Sequence, residues 1–241
     1  MKNFLLAITL AFSCYASTLM ANNNAVIAID IGHTLKNHGS TSARGVGEFH
    51  FNKTIATQLQ AKLKEQGYPN TLLINPEGKK IRLKERTQFA HKHKADVFIS
   101  IHHDSMQLQF LKRWRYQGKE YLHGERFKGY SLFISQQTQH KKENLQLANA
   151  IADSMLESRF VPTLHHAMPI KGENRKLLDK TKGIYAFPEL AVLRTARMPA
   201  ILVECGIIVN KDEEVLLSNK EYQKRISDAI AIGIMKFLEE Q

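Results

Sequence analysis

Three short apolar runs, separated by two amphipathic segments, fill the N-terminal half of the chain and constrain its fold more than any other feature. The runs at 26–31, 71–74 and 96–101 have the apolar composition of buried strands. Segment 48–66 carries an apolar residue at every fourth position and ends before a glycine, and 81–94 is the second predicted helix. This β-α-β-α-β order predicts an α/β fold in which helices cross over between parallel strands.

The rest of the chain is predicted to continue the same domain. A polar, aromatic and basic stretch at 105–129 interrupts the alternation as an insertion. The elements predicted after it are a strand at 129–135, a helix at 143–159, a loop region at 160–185, a strand at 199–206 and two closing helices. No linker divides residues 26–241, so we interpret them as one domain.

The N-terminus has the pattern of a secretory signal. Lys2 precedes an apolar stretch that becomes small and polar toward Ala21, and the stretch is too short to span a bilayer permanently. We therefore expect cleavage of residues 1–21, a short linker at 22–25, and a mature chain without a transmembrane segment in the periplasm, the cell envelope or the medium. A buried N-terminal helix and a lipoprotein anchored through Cys14 are the alternatives.

The net charge of the chain restricts the class of partner that it is expected to bind. The chain has 34 Lys and Arg against 23 Asp and Glu, and this net charge of +11 suggests a polyanionic neighbour. Export and the lack of a nucleic-acid motif favour the cell envelope, so no nucleic-acid partner is expected.

Cleavage after Ala21 would leave Cys205 as the only thiol, which excludes an intramolecular disulfide. Strand alternation predicts that Cys205 is a buried apolar residue and not a nucleophile.

Four residues capable of metal or acid–base chemistry fall at one predicted edge of the sheet. His33, His102 and Glu204 lie at or near the ends of predicted strands, and Glu48 begins the helix after the first strand. Ligands bind beyond the carboxyl ends of such strands. Two imidazoles and one carboxylate suit catalytic zinc with an open position for water, and the other carboxylate could act as general base.

Each residue also has a simpler interpretation when taken alone. The histidines could be ordinary loop residues, and Glu48 could be a first-turn carboxylate that the helix dipole favours. Glu204 follows a continuously apolar stretch, where a charge needs a partner. The shared position at one edge favours the functional interpretation over these alternatives.

Four ordered motifs give the chain a family resemblance. They are Ile29-Asp30-Ile31-Gly32-His33, Gly47-Glu48, Ser100-Ile101-His102 and Pro199-Ala200-Ile201-Leu202-Val203-Glu204-Cys205-Gly206. With these motifs the chain resembles the zinc-dependent N-acetylmuramoyl-L-alanine amidases of the Amidase_3 type from about residue 26 to its C-terminus.

The resemblance implies a fold, a reaction and a site. The fold would be a single α/β domain with a central, mostly parallel six-stranded sheet flanked by helices. One zinc ion per chain would bind His33, Glu48 and His102, with Glu204 as general base. The reaction would be hydrolysis of the peptidoglycan amide between the lactyl group of N-acetylmuramic acid and the L-alanine of the stem peptide, as in cell wall degradation and reorganisation.

Other polar residues are weaker candidates. Asp104 could orient a ligand histidine, and His103 could contact the substrate or a ligand, or simply pack. Arg113 and Trp114 in the 105–129 insertion could contact glycan or peptide, or belong to a structured surface loop or hairpin with its own small apolar cluster. Further imidazoles occur at His38, His50, His165 and His166, for which a solvated or packing role is the simpler interpretation.

Two other functions remain open at this point. A zinc peptidase could cut within the stem peptide, and a non-catalytic module could bind peptidoglycan, although a binding module has no need of a general base. No separate wall-binding domain is evident, so targeting would come either from the catalytic domain itself or from a partner such as an envelope activator or targeting protein.

Overall fold

A seven-stranded sheet forms the centre of the molecule in the computed structural model, which describes residues 24–241. The predicted signal at 1–21 and Cys14 lie outside the described residues. The strands of this sheet are β1 (Ile27–Ile31), β2 (Thr71–Ile74), β3 (Val97–Asp104), β6 (Ser131–Ile134), β7 (Lys176–Asp179), β8 (Ile184–Ala186) and β9 (Ala200–Ile207). The helices are α1 (Glu48–Glu65), α2 (Leu83–Lys92), α3 (Lys141–Glu157), α4 (Ala191–Thr195), α5 (Glu213–Leu217) and α6 (Lys220–Glu239).

The sheet is mostly parallel, in the order β2-β1-β3-β9-β6-β8-β7. Strands β2, β1, β3 and β9 run parallel, β6 is antiparallel to β9, β8 is parallel to β6, and β7 is antiparallel to β8. This confirms the α/β class with one central sheet, but the sheet has one strand more than the six expected.

The extra strand comes from the segment predicted as a loop. Residues 160–185 contain the 3-10 turn His165–Ala167, strand β7 at the edge of the sheet and the first two residues of β8, with which β7 pairs. The prediction was wrong because β7 is only four residues long and half-buried, so it shows no clear alternation of apolar and polar residues.

Alternating side chains of the strands divide the core into two layers. Ile27, Ile29 and Ile31 of β1 face helices α1, α3 and α6, while Ala28 between them faces α2 and α4. This is the period of two expected of a sheet that is covered on both faces. No helix among residues 24–241 is long and apolar enough to cross a membrane.

The insertion at 105–129 forms a separate two-stranded hairpin. Strands β4 (Lys112–Tyr116) and β5 (Lys119–His123) pair with each other and lie outside the main sheet. Met106, Phe110 and Phe127 from the flanking segments pack on Ile207 and Val209, which forms a small apolar cluster beside the end of β9.

Candidate metal centre

Three side chains suited to metal binding meet at the carboxyl ends of β1 and β3. His33 follows β1, His102 lies near the end of β3, and Glu48 is the first residue of α1. Glu48 lies between the two imidazoles, with Oε2 3.0 Å from His33 Nε2 and Oε1 3.1 Å from His102 Nδ1. One ligand atom from each residue lies within 4.8 Å of the other two, so the three could hold one metal ion.

A buried ion pair holds the backbone that carries His33. Arg86 of α2 pairs with Asp30 of β1 at 2.6 Å, and both side chains are buried. The same guanidinium donates hydrogen bonds to the carbonyls of Ile31 and His33, while Ser100 donates to the other oxygen of Asp30. This support matters because His33 has φ 66, a conformation that costs a non-glycine residue energy.

Glu48 is oriented by its own helix and by the loop before it. The amide of Asn52, one turn later in α1, donates to Glu48 Oε1 at 3.1 Å, and the Ser40 backbone N–H donates to Oε2, also at 3.1 Å. Burial raises the pKa of Glu48, but hydrogen bonds and charge interactions with His102 and His33 outweigh it and hold the pKa well below its usual range. The carboxylate is therefore ionised and ready to bind a cation.

Gly39 leaves room for this arrangement. Its φ is +79, and a Cβ at this position would lie 2.3 Å from Glu48 Oε2 and 2.5 Å from the ring of His33. Any side chain here would displace two of the three candidate ligands.

Glu204 lies beside the three candidate ligands on the neighbouring strand. It is in register with His102 across β3 and β9, so the two side chains point to the same face of the sheet. Its Oε2 is buried and has no hydrogen-bond partner among residues 24–241. Burial raises the pKa of Glu204 well above its usual range, and the charges of Asp104 and Glu48 raise it further.

His103 and Asp104, two of the weaker candidates, contact different parts of the molecule. His103 is buried, and its Nδ1 lies 2.8 Å from Asn52 Oδ1, so it supports the residue that orients Glu48. Asp104, expected to orient a ligand histidine, instead lies against His165 and His166.

The two candidates from the insertion lie on the hairpin. Trp114 donates its indole N–H to the Ala43 carbonyl at 2.7 Å, and Arg113 is exposed beside Glu120. The hairpin expected as one alternative is therefore present.

Cys205 is buried in the main core, as strand alternation predicted.

Four residues that support the site, Asn52, Arg86, Asp30 and Ser40, were not predicted to do so from the sequence. Asn52 could have been found from its spacing, because residues four apart share a helix face with the first residue, Glu48. The pairing of Arg86 with Asp30 and the contact of the Ser40 backbone with Glu48 depend on tertiary packing, so no local pattern reveals them.

An open α/β sheet with a candidate metal centre and a buried carboxyl group at its carboxyl edge defines the class as an α/β hydrolytic enzyme. The chain belongs to the N-acetylmuramoyl-L-alanine amidase family Amidase_3, whose family model matches residues 27–236. The resemblance read from the sequence is thereby confirmed, and the chain is an amidase of peptidoglycan.

Curated relatives agree with this assignment. The chain is 27% identical over 222 residues to the N-acetylmuramoyl-L-alanine amidase AmiC of Neisseria meningitidis, covering 88% of this chain and 52% of AmiC. It is 27% identical over 246 residues to AmiA of Salmonella typhimurium, covering 91% of this chain and 78% of AmiA. The chain thus spans about half the length of AmiC.

Solved structures share the fold. The amidase Ami1 of Mycobacterium smegmatis superposes with a TM-score of 0.71 at 20% identity, covering 91% of this chain and 100% of that chain. The amidase of Clostridium difficile 630 superposes with a TM-score of 0.70 at 23% identity, covering 91% and 99%.

Proposed function

We propose that this chain is an exported zinc amidase that cleaves the amide between the lactyl group of N-acetylmuramic acid and the L-alanine of the stem peptide. His33, Glu48 and His102 would bind zinc, and Glu204 would act as general base. The observation that carries the proposal is the convergence of these four side chains at one edge of the sheet.

The donor set fits zinc. Two imidazole nitrogens and one carboxylate oxygen are a ligand set of catalytic zinc sites, which keep a further position open. The Glu48 carboxylate is buried and ionised, so a cation would compensate its charge. When bound, zinc would polarise the scissile carbonyl and favour deprotonation of a water molecule.

Glu204 is suited to move the proton. Its carboxylate would accept a proton from the attacking water and deliver it to the leaving nitrogen of L-alanine. Without a metal ion, burial and the charges of two neighbouring carboxylates raise the pKa of Glu204. A cation bound beside it would lower that pKa again, which would leave the carboxylate free to accept the proton and then to pass it on.

Export and wall binding belong to the same proposal. The signal pattern at 1–21 would direct the chain across the membrane, and residues 26–241 would form the catalytic domain. The positive net charge suits the anionic polymers of the cell envelope. An activator or targeting protein of the envelope would be a partner of this enzyme.

Analysis of the products tests the reaction. Purified peptidoglycan is digested with the protein, and the released material is identified by mass spectrometry and N-terminal labelling. An amidase releases intact stem peptides with a free L-alanine amino group and leaves glycan strands without peptide. Fragments cut inside the stem peptide would show a peptidase instead, and binding to the wall without release would show a non-catalytic module.

A further inference from the structure

A second cluster suited to metal binding lies beside the candidate zinc centre. It joins Asp104, at the end of β3, to His165 and His166 of the 3-10 turn. Asp104 Oδ2 lies 2.7 Å from His166 Nε2 and 3.3 Å from His165 Nε2. The centroids of the two imidazole rings lie 3.9 Å apart. Both rings present their Nε2 atom to the same carboxylate oxygen.

These three atoms are buried and their hydrogen-bonding capacity is unused. Within residues 24–241, Asp104 Oδ2 and the Nε2 atoms of His165 and His166 are in ion-pair contact with one another and have no hydrogen-bond partner. The His165 side chain is only 2% exposed. Leaving a buried polar atom unsatisfied is unfavourable, so three such atoms that converge on one point indicate a missing partner.

The Nδ1 atom of each of these two imidazole rings contacts a polar side chain outside the cluster. Thr163 Oγ1 lies 2.9 Å from His165 Nδ1, and Glu173 Oε2 lies 2.8 Å from His166 Nδ1. Gln107 in turn donates to Glu173 at 3.0 Å. Histidines that bind metals characteristically donate their outer N–H to such a group, which leaves the inner nitrogen free for the ion.

We infer that Asp104, His165 and His166 form a second divalent-cation site, for which the set of two imidazoles and a carboxylate favours zinc. A bound ion would satisfy all three orphaned atoms at once. It would also fasten the segment that carries the 3-10 turn to the strand that carries His102. The inference goes beyond the proposed function, because none of these three residues is a proposed ligand of the first zinc ion or the proposed general base.

The competing explanation is a proton in place of a metal ion. Burial lowers the pKa of His166, but the carboxylates of Asp104 and Glu173 outweigh this effect and raise it to about 9. A protonated His166 between two carboxylates would be a structural ion pair. It would leave His165 Nε2 unsatisfied and would bind no metal, so metal content separates the two explanations.

The test is the amount of zinc per chain. The full chain is produced with zinc, dialysed into metal-free buffer and analysed by mass spectrometry of the metal together with protein quantification. Wild type is expected to retain two zinc ions per chain. His165→Gln and Asp104→Asn are expected to retain one, His33→Ala is expected to retain one, and His33→Ala with His165→Gln none.

Controls make each outcome decisive. His50→Gln removes an exposed imidazole outside both clusters and should retain two ions. Far-UV circular dichroism checks folding, and the nearly isosteric Asp104→Asn replaces His165→Gln if the latter fails to fold. One zinc ion in wild type, unaffected by either second-cluster variant and lost in His33→Ala, would overturn the inference and leave the proposed function intact.

Discussion

Single residues determine whether the three candidate ligands can meet. His33 has a left-handed backbone, Glu48 is oriented by Asn52, and Gly39 leaves the space between them. Asn52 and Gly39 do not belong to the candidate ligand set, yet they determine where its members lie. The site therefore depends on backbone conformation and close packing as much as on the ligands themselves.

Gly39→Ala should weaken zinc binding because its Cβ would collide with Glu48 and His33. Gly118→Ala is the matched control, since Gly118 has a similar φ of +80 and nothing within 4 Å of an added Cβ. Both variants should lose about 1–2 kcal/mol of stability from backbone strain. Only Gly39→Ala should lower zinc affinity, measured by competition with a chelator, and equal affinities in the two variants would contradict the steric argument.

Arg86→Met should destabilise the fold by about 3–5 kcal/mol, because it leaves the Asp30 carboxylate buried without its partner. It also removes the hydrogen bond that holds the His33 carbonyl. Urea unfolding gives the stability, and Arg194→Met, which changes an exposed arginine, is the control. A loss below about 1 kcal/mol, the scale of an exposed pair, would show that the ion pair does not support this edge of the sheet.

At the scale of secondary structure, the hairpin β4–β5 contacts the loop before Glu48 through Trp114. Trp114 bonds to the Ala43 carbonyl, and the Arg44 guanidinium lies 5.3 Å from the centre of its ring. The hairpin thus borders the loop that contains Gly39 and Ser40.

Trp114→Ala should release the hairpin without unfolding the sheet. Amide hydrogen exchange at residues 112–123 should become faster, while exchange in β1 and β3 should stay unchanged. Leu122→Ala is the control, because Leu122 is an exposed residue of the same hairpin. Unchanged exchange at 112–123 in Trp114→Ala would contradict docking through the indole.

Glu213, the first residue of α5, should make stability depend on pH. It accepts hydrogen bonds from the backbones of Gly129 and Ile207, and burial raises its pKa to about 7. The folded state then binds more protons than the unfolded state between about pH 4.5 and 7, so this group's contribution to stability falls as pH rises through that range.

Glu213→Gln removes this titration. The stability of the variant relative to wild type should therefore increase from pH 4.5 to pH 7 and then stay level, as measured by urea unfolding across the range. A difference that does not change with pH would show that Glu213 titrates normally.

The elements that the sequence reveals are those with a strong local pattern. Strand β2 was predicted at 71–74 and helix α1 at 48–66, within one residue of the observed bounds. Strand β7 was missed because a short edge strand shows no alternation of apolar and polar residues. The hairpin could be predicted only as an alternative, because the pairing of its strands across Gly118 depends on contacts beyond the segment.

At the scale of the whole molecule, topology brings distant residues together. Parallel strands β1, β3 and β9 place His33, His102 and Glu204 at one edge, so the sequence order of elements was enough to predict their proximity. The second cluster could not be predicted in this way, because His165 and His166 reach Asp104 from a turn whose position depends on packing.

The most direct test of the central claim is the rate at which Glu204→Gln releases stem peptides from purified peptidoglycan, with zinc content measured in the same preparation. We expect an unchanged zinc content and a rate at least about 100-fold below wild type, which is the scale of general acid–base catalysis. A rate within a few-fold of wild type at the same zinc content would contradict the assignment of Glu204 as the general base.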